Sequence, residues 1–273
     1  MHFRCRLLVA FLFAFPLAAL RPAAAQLTEE RSPGLRVVYL DATEGYLLPH
    51  VTRTALNSLA FQKKLFGFDP KDDVTVLLLD LSDSGNAGAT SVPDNLVTVQ
   101  IAPLGFAFET LAANERMNVI MNHELVHVAT MDQAAGSDRM FRRLFGGKVM
   151  PVAEQPESIL SFDLTSPRVA APRWFHEGIA VFVDTWMAGG IGRVQSGYDE
   201  MVFRAMVRDD APFHNPLGLV SKGTDADFQL EINSYLYGAR FMTWLARRYS
   251  PDKLIEWTAR REGSRAYSAS HFR

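Results

Sequence analysis

Two hydrophobic periods follow one another along the chain, and the change from the first to the second separates a sheet-forming part from a helical part. Residues 35–42 (LRVVYLDA) form a β-branched, apolar run of strand length. Residues 49–66 place Val51, Ala55, Leu59, Leu65 and Phe66 at helical spacing and stop at Gly67, the pattern of an amphipathic helix with its terminator. A second buried strand is expected over residues 74–81 (VTVLLLDL), followed by a polar, Gly-rich loop over residues 82–95. Residues 96–101 (LVTVQI), closed by Pro103, predict a third strand, with Thr98 and Gln100 on one exposed side. The order is β-α-β-β, a small mixed sheet with a covering helix.

From residue 114 the period becomes helical. A helix is expected over residues 114–131 with Asn114 as its cap, then a short basic amphipathic piece over residues 137–145 and a Pro-punctuated stretch, mostly loop, over residues 150–172. Pro172 opens another helix to about residue 187, a favoured position for proline. Gly189-Gly190-Ile191-Gly192 breaks it, and two further helices are expected over residues 233–249 and 251–262. No internal repeat or low-complexity stretch interrupts the pattern. The expected fold class is α+β in one domain, with a β-rich part over residues 26–112 and a helical part over residues 113–273.

Composition narrows the function. A chain of 273 residues with 48% hydrophobic and 21% charged side chains excludes disorder, collagen and coiled coil. The balance of 28 Lys+Arg against 30 Asp+Glu lacks the basic footprint of a nucleic-acid binder, so no nucleic-acid partner is expected. One cysteine excludes a disulfide framework and a Cys-rich zinc ribbon. Arg4 and Arg6 precede an apolar run over residues 7–20, and Ala23-Ala24-Ala25 supplies the small residues of a cleavage site. Residues 1–25 therefore read as a secretory signal peptide, the run being shorter than the ~20 apolar residues that span a bilayer. Its removal would take Arg4, Arg6, Arg21 and Cys5, leaving 248 residues of net charge -5 with no cysteine. Export to a periplasmic or extracellular location is expected, and no later stretch is apolar enough to cross a membrane.

The candidate chemistry lies in His123-Glu124-Leu125-Val126-His127, an H-E-x-x-H motif inside an expected helix. Residues i and i+4 share a helical face, so both imidazoles can grip one zinc ion while Glu124 sits beside the metal-bound water. Val119, Ile120, Val126 and Val128 make the helix apolar and hence buried. Two histidines and a carboxylate buried without a partner would cost several kcal/mol, and a metal supplies the partner. A third ligand is needed. Val128-Ala129-Thr130-Met131 contains neither Gly nor a third His, which excludes the metzincin pattern. The best candidates are the adjacent His176 and Glu177 in Trp174-Phe175-His176-Glu177-Gly178-Ile179-Ala180-Val181-Phe182.

With these residues the sequence resembles the gluzincin metallopeptidases of the peptidase MA-like superfamily, in which H-E-x-x-H is followed by W-x-x-E-G-x-A-x-[YF]. The match is at Trp174, Glu177, Gly178, Ala180 and Phe182. The resemblance covers roughly residues 35–272, specifically at the two zinc motifs and loosely elsewhere. It implies a zincin-like fold with one Zn²⁺ between the two parts, held by His123, His127 and Glu177, and His176 as a neighbour about 100° around the helix. Tyr235-Leu236-Tyr237-Gly238-Ala239-Arg240-Phe241 matches a Y-x-x-G-x-x-F helix of relatives. This implies that Tyr235 steadies the oxyanion, with a core aromatic as the competing role and Tyr237 as the fallback.

The implied activity is hydrolysis of a peptide or protein substrate by a metal-activated water, with Glu124 moving the proton. Related zincins place at residues 96–101 the sheet edge that pairs with extended substrate, and the loop before it holds Asp94 but no glutamate for a free amino terminus. That favours an endopeptidase. The alternative is a catalytically silent peptide-binding or envelope-assembly module, against which Glu124 argues because it has no role except chemistry. Arg142, Arg143 and Lys148 are expected on an ordinary solvated helix, or else covering the cleft or binding a partner, and His50, His214 and His271, isolated along the chain, as structural or exposed residues. Residues 264–273 read as the start of an uncapped helix, where relatives continue, so further C-terminal domains in a longer chain are expected.

Overall fold

The computed structural model of the protein describes residues 27–103, 115–189, 192–214 and 232–264. It is a mixed α/β architecture built on a five-stranded sheet of order β1-β2-β3-β5-β4. Strands β1 (Leu27–Ser32) and β2 (Leu35–Leu40) form an antiparallel hairpin, from Leu27 opposite Leu40 to Ser32 opposite Leu35. Its turn needs Gly34, whose φ of +78° suits a residue without Cβ. After the single turn α1 (Asp41–Glu44), helix α2 (Leu48–Phe66) crosses over to β3 (Val74–Leu79), parallel to β2. Gly67 ends α2 in the left-handed conformation, as its place after Phe66 suggests. Strand β5 (Leu96–Gln100) is parallel to β3, and β4 (Asn86–Thr90) closes that side antiparallel to β5.

Alternation along β2 turns Leu35, Val37 and Tyr39 into a core shared with Val76, Leu78, Val97 and Val99 and with Val51, Ala55 and Leu59 of α2. Helix α3 (Arg116–Met131) completes this core with Met117, Ile120, Met121, Leu125 and Val128. Each such side chain contributes about 1.5–3 kcal/mol on burial, enough to fix α3 against the sheet despite its polar residues. Val126, on another face, enters a second core with Phe175, Ile179 and Phe182 of α6 (Arg173–Trp186), Met242 and Leu245 of α8 (Asn233–Arg248) and Leu254 and Trp257 of α9 (Pro251–Thr258). One helix therefore borders both cores, and its remaining face looks along the seam between them. Helices α4 (Gly136–Leu144) and α5 (Ser158–Thr165) pack on each other in the segment between α3 and α6, and α7 (Gly197–Arg208) precedes α8.

Several expectations are corrected. Residues 82–95 are not all loop, because they contain β4, whose Asn-Ala-Gly-Ala-Thr sequence lacks the β-branched run that marks a buried strand. The polar β1 pairs on one side only and shows no apolar alternation. Residues 150–172 hold α5, and α7 appears where no helix is expected. The cap of α3 is Glu115, whose carboxylate accepts hydrogen bonds from the backbone N–H groups of Met117 and Asn118, and not Asn114, which lies outside the described residues. The α9 helix stops at Thr258, short of residue 262. The expected signal peptide, the Gly190-Ile191 pair and residues 265–273 also lie outside the described residues. Among the described residues no helix is long and apolar enough to cross a membrane.

Candidate metal centre

The seam face of α3 presents His123 and His127, and α6 brings Glu177 to them. Nε2 of His123 and Nε2 of His127 each lie 3.3 Å from the same carboxylate oxygen, Oε2 of Glu177. One ligand atom from each of the three residues falls within 4.8 Å of the others. A charge-assisted hydrogen bond normally closes to about 2.7–2.9 Å, so 3.3 Å is loose for such a pair. Atoms bound tetrahedrally at about 2.0–2.2 Å to one zinc ion, by contrast, stand roughly 3.3–3.5 Å apart. The donor set of two imidazole nitrogens and one carboxylate oxygen is also one that catalytic zinc sites use. The three residues thus fit a small borderline cation in donor type and in spacing.

Asp184, seven residues after Glu177 on α6, approaches the other side of His123, with Oδ2 2.9 Å from Nδ1. The carboxylate accepts the Nδ1–H, which leaves Nε2 to face Glu177. Sequence reasoning missed this residue. Its signal was an acid two turns from Glu177 in a helix otherwise apolar from Ile179 to Val183. Burial alone would push the His123 imidazole down, but the hydrogen bonds to Asp184 and Glu177 outweigh it and raise the group well above its ordinary range. The Glu177 carboxyl, which burial would push up, is held far below the carboxylate range by His123 and His127. A cation bound there would take over the role those protons play.

Glu124 is buried beside the pair, and its Oε2 has no hydrogen-bond partner. Burial raises its carboxyl, against the pull of His123 and His127. His176 is not among the converging groups. Its ring stands edge-on to His127 with centroids 6.3 Å apart, and burial pushes its imidazole down to about 4.

Tyr235 comes from α8. Its ring lies nearly parallel to His123, 6.0 Å between centroids, and its hydroxyl accepts from Nη2 of Arg173 at 3.5 Å. Arg173 also donates through Nε to Oε1 of Glu177 at 3.2 Å, tying the tyrosine to the candidate ligand. Burial, then the Glu177 charge, raises the phenol and keeps it protonated. Tyr237 points elsewhere, packing on Phe203 and accepting from the backbone N–H of His214. Close passage of α6 and α8 makes this placement possible. A Cβ on Gly178 would meet backbone atoms of Gly238 at 2.6–2.8 Å, and one on Gly238 would meet the Trp174 carbonyl oxygen at 2.2 Å.

The basic residues after α3 depart from the solvated-helix expectation. Lys148, with a side chain 4% exposed, donates to Oδ1 of Asp132 at 3.0 Å and to Oδ1 of Asn95 at 3.3 Å. Arg142 donates to the same Asp132 oxygen at 3.1 Å, and Asn95 Nδ2 donates to Oδ2 at 3.0 Å. These residues therefore pin the segment to the C-terminal end of the histidine helix, whereas Arg143 is exposed. Strand β5 is interior, flanked by β3 and β4, so among the described strands the edge on this side is β4, which packs beside α3. Of the remaining histidines, His50 lies 3.1 Å from Glu115 and His214 3.0 Å from Asn233, contacts of structural residues, while His271 is outside the described residues. No family model matches the chain, and no curated protein matches it.

Proposed function

We propose that this protein is a zinc-dependent peptidase with a zincin-like fold, a gluzincin of the peptidase MA-like superfamily, exported by way of a signal peptide over residues 1–25. The observation that carries the reading is the approach of His123 and His127 to a single Glu177 oxygen at 3.3 Å each, on two helices whose motifs match that family. One Zn²⁺ per chain would be held by His123, His127 and Glu177 and would supply Lewis acidity that lowers the pKa of water towards ~7.

The residues of the chain perform the rest. Asp184 fixes His123 in the tautomer that offers Nε2. Glu124, its carboxyl raised by burial, accepts a proton from the attacking water and delivers it to the leaving amine. The Tyr235 hydroxyl, kept protonated and steered by Arg173, donates to the oxyanion that develops on the scissile carbonyl. The β4 edge pairs with an extended substrate through backbone hydrogen bonds, which tolerates many side chains. An unstructured internal segment of a peptide or protein is the expected substrate, cut as by an endopeptidase.

Digestion of an unstructured protein by wild type and Glu124→Gln, each with and without a chelator, tests the reading. Cleavage by wild type that is lost both in the variant and with chelator supports it. Equal cleavage by both proteins removes it, and an inert, zinc-loaded wild type points to a peptide-binding module instead.

A further inference from the structure

We propose that Arg173 is a positioning residue that restricts Glu177 to metal binding through one oxygen and so keeps a coordination position free, an inference that rests on the zinc site proposed above. The two carboxylate oxygens of Glu177 face different partners. Oε2 lies 3.3 Å from Nε2 of both His123 and His127, whereas Oε1 accepts from Nε of Arg173 at 3.2 Å. That division has a chemical consequence. Through Oε2 alone, Glu177 joins the two histidines as the third donor, which leaves the fourth position of a catalytic zinc site to water. Through both oxygens it would complete a set of four protein donors, the closed arrangement of a structural site, with no place for the water that Glu124 deprotonates.

Helix stability does not explain an arginine at this position. Arg173 is the first residue of α6, where the helix dipole disfavours a cation, and it precedes its acid by four residues, the poorer order for such a pair. Its side chain is 38% exposed, so the ion pair is screened and adds little to folding. Glu177, by contrast, is only 11% exposed, and water is a poor substitute for the guanidinium at Oε1. The aim of the guanidinium is fixed from α8. Its Nη2 reaches the Tyr235 hydroxyl at 3.5 Å, and its centre stands over the Tyr235 ring, 5.6 Å from the centroid. The planar fork therefore meets the tyrosine and Oε1 together, whereas a lysine, as a point charge, could hold Oε1 but not bridge both.

Titration of the cobalt-substituted full chain with neutral imidazole, followed by the visible absorption of Co²⁺, tests this without turnover. Wild type and Arg173→Gln should each hold about one Co²⁺ per chain. Imidazole should enter the free position of wild type and bind Arg173→Gln at least about tenfold more weakly, with an unchanged circular dichroism spectrum. Arg173→Met, which keeps the apolar stem, should show the same loss and replaces the glutamine variant if that one fails to fold. Arg173→Lys, which can still hold Oε1, should bind imidazole as wild type does, and so should Tyr235→Phe. Wild-type imidazole binding by Arg173→Gln, or an equal weakening in Tyr235→Phe, would overturn the proposal. So would a folded Arg173→Gln that holds no Co²⁺, since Arg173 would then secure the metal itself. Wild type that holds no Co²⁺ would remove the zinc site and this role of Arg173 with it.

Discussion

Gly178 and Gly238 meet backbone to backbone where α6 crosses α8, and this contact brings Glu177 to the Nε2 edge of His123 and Tyr235 onto its ring. Each glycine stands one or three residues from a site group, so the distance between the two helices and the shape of the site are determined together. A methyl group at either position would press on main chain, which cannot rotate away.

Gly178→Ala or Gly238→Ala should therefore destabilise the protein by about 1–3 kcal/mol, an overpacking cost that exceeds the ~0.5–1 kcal/mol alanine gains within a helix. Gly197→Ala, at the start of α7 with nothing within 4 Å of the new methyl, should be neutral or slightly stabilising. Urea unfolding of the three variants measures the difference. Equal behaviour of all three would mean that α6 and α8 are not in close contact.

Asp184→Asn keeps the size of the side chain but removes the carboxylate that accepts from His123. Zinc affinity, measured by competition with a chromophoric chelator, should fall about 10–100-fold. An unchanged affinity would show that Asp184 does not position the imidazole.

Tyr235→Phe should leave zinc content and stability nearly unchanged and lower kcat by about 10²–10³, the usual cost of losing one oxyanion donor. Tyr237→Phe, whose ring packs against Phe203 rather than beside His123, should retain kcat. Steady-state kinetics on an unstructured substrate separate the two. A larger loss for Tyr237→Phe would reverse the assignment.

Asp132→Ala leaves the buried Lys148 ammonium without its carboxylate and should cost about 3–5 kcal/mol in urea unfolding. Lys148→Met should cost less, because Asp132 keeps Arg142 and Asn95. The reverse order would mean that the network is organised around the lysine.

The sequence made the centre of the site legible and its surroundings much less so. His123, Glu124 and His127 stand out because an i, i+4 pair within an apolar helix leaves few other reasons for three ionisable residues. The resemblance carries most of the choice of Glu177 over His176 and of Tyr235 over Tyr237, since neighbouring helical positions are nearly equivalent until the packing partner is known. Asp184 stayed hidden because an acid near a helix end usually faces water, and its burial depends on α3 being opposite. Strand β4 is illegible because an edge strand of small residues carries no apolar run, while β2 and β3, buried in the shared core, show themselves as continuous β-branched and apolar runs. Lys148 and Arg142 read as solvated because Asp132, their shared partner, belongs to the end of the preceding helix, and Asn95, which Lys148 also reaches, lies 53 residues away, so the group comes together only in the fold.

Zinc content of the purified protein, set beside that of His123→Ala, tests the metal centre most directly. About one zinc per chain is expected in wild type and a small fraction of that in the variant, with the circular dichroism spectrum retained. Wild type holding only a small fraction of one zinc, with His123→Ala indistinguishable from it, would mean that His123, His127 and Glu177 do not form a zinc site.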